Sequence, residues 1–303
     1  MKKIYVTGII LIFSLVFLPA CAKKPAAPEA GTAKIEDMLN LIPKEAKAVF
    51  AIDFHRAMKT EIAEKAIKEE KSYKDYQKFV EETGIDPKED IYFLVGAVTE
   101  GMEQKKQKGV VLLNLKYDKE VLLAKVKKEE GELREENYDG ITIFSAGEDE
   151  DKPKGAFLDE SNIIIGSGDE IKAVIDIFHK KGENIFKNEG FASLIKQTNK
   201  EAIFWAAILF PPEALKQATA QNPMLKPLES VKAGTLYFDY KNKNIMAEIK
   251  IMSDDEAQNQ QIVDLLSGLK AMGAMAATKD PNVGELLNKI DISSTPDFVK
   301  IYA

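Results

Sequence analysis

The chain is poor in the side chains that do most enzyme chemistry, with one cysteine and two histidines in 303 residues. A single cysteine excludes an intramolecular disulfide, so the folded part must hold together by burial alone. His55 and His179 belong to no HExxH pair or other recognisable ligand spacing, which leaves zinc without support. No GxSxG elbow marks a serine nucleophile, although a triad assembled in space leaves no trace in spacing. Positive charge is in deficit as well. The formal net charge is −7, and such a surface does not favour nonspecific binding to nucleic acid or to anionic lipid. Beyond residue 20 no apolar run approaches the roughly 20 residues that a helix needs to cross a bilayer. From these shortages no metal, no cofactor and no catalytic residue is assigned, and no nucleic-acid partner is expected.

What is present begins at the amino end. Lys2 and Lys3 precede an apolar run from Ile9 to Leu18, which closes on Leu18-Pro19-Ala20-Cys21. A basic start, a short apolar stretch and small residues at the cut are the parts of a secretory signal. The ending resembles that of a bacterial lipoprotein signal peptide. The resemblance implies that residues 1–20 are removed and that Cys21 carries a diacylglycerol and usually a third acyl chain. Each buried methylene is worth about 0.8 kcal/mol, so two or three chains anchor where one would not. Pro19 departs from the Ser, Ala or Thr more usual at its position. Two alternatives stay open: a retained anchor over Ile4 to Ala20, and an ordinary cleaved signal that leaves a free thiol. Removing residues 1–20 takes away two lysines and no acid, which brings the formal charge from −7 to −9. By analogy with Gram-negative lipoproteins, Ala22 in place of Asp favours the outer membrane, facing the periplasm. The expected partners are the membrane, through lipidated Cys21, and an envelope protein of unknown identity.

Residues 21–34 contain no large apolar side chain, and two prolines and a glycine, as a flexible tether would. Beyond them the organising feature is an internal repeat. Lys44-Glu45-Ala46 recurs as Lys200-Glu201-Ala202, and without a gap Ala51-Ile52 matches Ala207-Ile208 and Phe54 matches Phe210. Both segments read as strands that enter helices, at 56–82 and 212–221. Strands are expected at 91–98 and 109–115 in the first copy and at 233–240 and 245–251 in the second, each pair followed by a helix, 118–129 or 255–276. Closing strands follow at 141–145 and 298–302. Each copy is then β-α-β-β-α-β, the split βαβ or ferredoxin-like order. The fold class is α+β: two such units with largely antiparallel sheets, over residues 35–198 and 199–303. An extra hairpin (154–159 with 162–166) and helices at 169–180 and 191–197 extend the first.

Gly166-Ser167-Gly168 follows an apolar strand and opens a helix, a setting that could hold an anion on helix amides. Ile171 stands where a third glycine belongs, and Asp169 and Glu170 would repel phosphate, so the segment reads as a helix start. Glu148-Asp149-Glu150-Asp151 lacks EF-hand spacing and reads as a solvated loop rather than a calcium site. Ile262, Leu265, Leu266, Leu269, Met272 and Met275 form a stripe on the late helix, read as core in preference to an adaptable groove. The mixed-charge runs 64–78 and 116–136 read as solvated helix faces.

Thr83-Gly84-Ile85-Asp86-Pro87 with a following strand, and the later GSGDEIKAVID segment at 166–176, resemble an uncharacterised family of secreted bacterial proteins of unknown function. That resemblance covers most of the chain and implies no activity and no site. Two function classes follow. The favoured one is a lipid-anchored, noncatalytic binding or scaffolding module. The alternative is an envelope hydrolase using carboxylates that spacing does not single out.

Overall fold

The computed structural model describes residues 34–100, 108–147, 152–220, 222–253, 255–276 and 281–303. Cys21 and its neighbours, nearly all of the tether, and the acidic run 148–151 lie outside the described residues. Two units are distinguished, the first built on Ala51–Gly96 and Lys108–Asn184, the second on Lys44–Phe50 and Ile185–Ala303.

The strands that build the first unit run in the order β1 (Ala48–Asp53, its first three residues assigned to the second unit), β2 (Ile91–Glu100, its last four likewise), β3 (Lys108–Leu115), β7 (Asn162–Gly166), β6 (Lys154–Phe157), β5 (Ile141–Ala146), β4 (Leu133–Tyr138). From β3 outward every pairing is antiparallel. In register across four strands, Leu112, Ile164, Ala156 and Ile143 form one row and are all buried. The helix α6 (Gly168–Phe178; helices are numbered along the chain) packs on β3, β6 and β7 and buries Ile171, Val174 and Ile175. Because side chains alternate along a strand, the neighbouring row, Leu113, Ile163 and Phe157, belongs to the opposite face.

In the second unit the order is β8 (Phe204–Leu209), β9 (Ala233–Lys241), β10 (Asn244–Met252), β12 (Val299–Tyr302), β11 (Asp291–Ser294), again antiparallel throughout. Val231, Ile262 and Val299 centre its core, with Phe210, Leu215, Leu228, Ile251, Val263, Leu266 and Ile292 against them. Trp205 is fully buried.

The α+β class and the antiparallel sheets agree with the sequence. The ferredoxin-like strand order does not. A split βαβ would set the first strand of each copy beside a parallel partner, whereas β8 pairs antiparallel with β9, its neighbour in sequence. Periodicity marks where a strand lies but says nothing of which strand it joins, and a helix between two strands is compatible with a return as well as a crossover. The two units nevertheless share an order: first, second and third strands, then the last strand of a closing hairpin, β7 in one and β12 in the other. The inserted hairpin strand at 162–166, not 141–145, is therefore the counterpart of 299–302. The strands β1 and β8 also carry the same alternation of burial, residue by residue. Their buried positions are Val49 and Ala51, and Trp205 and Ala207; Ile52 and Ile208 lie one step off on the partly exposed face.

Three further differences have simple causes. The first long helix is broken into Phe54–Met58, Glu61–Lys68 and Glu70–Thr83, the second piece beginning where the Thr60 hydroxyl accepts from the Ala63 N–H. The charged stretch Leu133–Tyr138 is an edge strand, solvated except at its ends, so it carries none of the apolar alternation that marks a strand. In the late helix α9 (Glu256–Ala276) Ile262 is buried, but Met272 and Met275 are 60% and 76% exposed.

Candidate functional site

The face of the first sheet opposite α6 is not filled. Between it and the helix α5 (Lys119–Glu130) lies a cavity of about 380 Å³. Its floor is aliphatic and aromatic: Leu113 and Leu115 from β3, Ile163 and Ile165 from β7, Phe157 from β6 and Phe144 from β5. Leu122, Leu123 and Val126 line it from α5, a helix that starts where the Asp118 carboxylate accepts from the Val121 N–H. A volume of this size falls in the range of small-ligand sites, roughly 300–1,000 Å³.

One wall comes from the segment that carried the family resemblance. Gly84 ends the helix α4 (Glu70–Thr83) in the left-handed conformation, φ 68°, its N–H donating to the Val80 carbonyl. The Thr83 hydroxyl donates to the Phe79 carbonyl and accepts from the Ile85 N–H. The Asp86 carboxylate accepts from the Tyr76 hydroxyl and the Lys88 N–H. The turn is thereby fixed from both sides, and Thr83 and buried Ile85 become part of the cavity wall.

The charged lining is Lys125, Glu129, Glu130, Lys152 and Lys154. Lys152 holds Glu130 at 3.2 Å. The Lys125 ammonium is buried and has no hydrogen-bond partner among the described residues. Burial pulls its pKa below the ordinary lysine value, against the attraction of Glu82 and Glu129. Glu82, itself buried, is paired with Lys78 at 3.7 Å, and its second carboxylate oxygen has no partner among the described residues. Burial, with Glu82 and Glu130 nearby, raises the pKa of Glu129.

The two histidines lie apart from this site. His179 caps the end of α6, its backbone N–H donating to the Ile175 carbonyl, and its ring meets Asp139, which Lys181 also contacts. The ring of His55 stacks on Tyr92 at 5.2 Å, and Nε2 lies 2.7 Å from the Lys59 ammonium. Gly166-Ser167-Gly168 is a helix start, with Ser167 at the N-cap and Asp169 and Glu170 in the first turn. A side chain on Gly166 would sit 2.4 Å from the Gly109 carbonyl oxygen, so its glycine serves the contact of β7 with β3. Among the described residues no group of three or more His, Cys, Asp or Glu is placed to hold a metal ion. Likewise, no described helix is long and apolar enough to cross a membrane. Sequence reasoning missed the cavity. Its only trace was the "GIDP" turn and the apolar strands, whose pattern is the same over a filled face and an empty one.

The first unit thus carries an apolar cavity roofed by a helix. Over residues 9–280 it matches the family described as "Protein of unknown function (DUF3352)", and it belongs to that family. No curated protein matches it. Among solved structures it is similar to TP0453 in crystal form III, at 12% identity and TM-score 0.47 over 87% of this chain and 91% of that one. Crystal form I of TP0453 gives 10% identity and TM-score 0.47 over 87% and 90%.

Proposed function

We propose that the protein is a lipoprotein of the cell envelope, anchored through Cys21, whose folded part is a noncatalytic binding module, and that the cavity under α5 is its binding site. In a Gram-negative source, Ala22 favours the outer membrane, with the body in the periplasm. The observation that carries the reading is the aliphatic floor of the cavity, where a ligand would gain by burial alone. Burying apolar surface yields about 25 cal/mol per Å², less the cost of immobilising the ligand. The carboxylates that line the cavity, Glu129 and Glu130, are consecutive on one helix and so point about 100° apart. They do not face each other across a shared substrate, which supports binding over hydrolysis. Native mass spectrometry of the full-length protein, taken gently from its membrane, tests this. An apolar molecule retained one per chain and released on unfolding is expected; a chain that retains none, and takes up none from added amphiphiles, would overturn it.

A further inference from the structure

The aliphatic floor says that the ligand is apolar, and the lysines say how it ends. Three lysines and two glutamates line the cavity, and Glu130 is already held by Lys152. Glu82, the buried acid near Lys125, has Lys78 as its partner. Glu82 and the second lining glutamate, Glu129, attract Lys125, but its ammonium, though buried, has no hydrogen bond among the described residues. A buried ammonium is costly unless an anion meets it. Burial also dominates its environment, for its pKa is lowered despite two neighbouring acids. An anion that came within hydrogen-bond distance would offset more of that cost than the two acids do from where they stand.

Resting on the reading of the cavity as a ligand site, we propose that it takes a single-chain amphiphile with an anionic head, the chain on Leu113, Ile163 and Phe157 and the head against Lys125. The cavity of about 380 Å³ is at the small end of ligand sites, roughly 300–1,000 Å³, which suits one medium acyl chain. The anion is a carboxylate or a phosphate: the same chemistry would come from a free fatty acid or from a lysophospholipid.

The test uses the full-length protein in its own membranes. A diazirine-bearing dodecanoic acid is added, the sample is irradiated, and labelled peptides are mapped by mass spectrometry. Label is expected on the peptides containing Leu122–Val126 or Ile163–Ile165. Laurate should compete at least tenfold better than dodecanol. Stronger competition by laurate than by lysophosphatidylglycerol assigns a free carboxylate as the head, and the reverse order assigns a phosphate. Lys125→Met should lose at least fivefold of the label, and Lys125→Arg should keep most of it, with the emission of Trp205 unchanged in both. Equal competition by laurate and dodecanol, or undiminished label in Lys125→Met, would overturn the anionic head while leaving an apolar ligand in place. Label confined to peptides outside the cavity would overturn both this inference and the reading on which it rests.

Discussion

Single residues in this fold divide between those that hold it and those that cost it something. Gly84 and Gly166 hold it. A side chain at φ 68° is strained by about 1–2 kcal/mol, so Gly84→Ala should lower stability by about that amount, read from the urea midpoint. Gly166→Ala should cost about 1–3 kcal/mol, the usual range for overpacking, because the added carbon would press on the Gly109 carbonyl. Lys125 is the opposite case. Its lowered pKa means that the unfolded chain binds the proton more tightly than the folded one. A charged Lys125 therefore opposes folding at neutral pH, and the penalty fades as the pH rises through the lowered folded pKa toward 10.5. Lys125→Met should accordingly raise the melting temperature at pH 7, by about 1–3 °C, and the gain should shrink in alkali. A melting temperature lowered at pH 7 would mean that Lys125 is held by an attraction stronger than its burial.

At the scale of elements, the equivalent strands β1 and β8 offer the sharpest comparison. Trp205 is fully shielded on β8, so Trp205→Ala should cost about 3–5 kcal/mol. Ile52→Ala and Ile208→Ala, on the partly exposed face, should each cost near 1 kcal/mol, roughly half the value of full burial. Denaturant titrations of the three variants would separate the faces, and equal losses would mean that both faces are packed alike. This pair also shows what could be read from the chain. The gapless match of 44–54 with 200–210 located equivalent strands, because a repeat preserves the position of each residue. It did not give the buried face, since Ile203 to Phe210 is apolar throughout and alternation is lost. Nor did it give the partner strands, which depend on contacts far apart in sequence. The edge strand at 133–138 escaped because five of its six residues are at least partly solvated. The turn at Thr83-Gly84-Ile85 was legible as a helix stop. Its place in a cavity wall was not, because an unfilled volume has no residues of its own.

For the whole molecule, the proposed function turns on two places: an anchor at residue 21 and a cavity in the first unit. Acylation at Cys21 would fix the body at the membrane and keep it near a supply of amphiphiles. Cys21→Ala should lose all acyl label and release the protein from the membrane fraction; mass spectrometry that found an unmodified Cys21 at the mature amino end would refute the anchor. The cavity carries the larger claim, and one titration reaches it directly. Ala146 lies in its wall, and Ala146→Phe would fill part of it while keeping the chain apolar there. N-phenyl-1-naphthylamine, a small neutral fluorophore, is titrated into the full-length protein and into Ala146→Phe, both held in amphipol. One saturable site per chain, weakened at least fivefold in Ala146→Phe with no loss of thermal stability, is the predicted result. Saturable binding of equal strength in the two proteins, or none in either, would contradict the assignment of this cavity as the binding site.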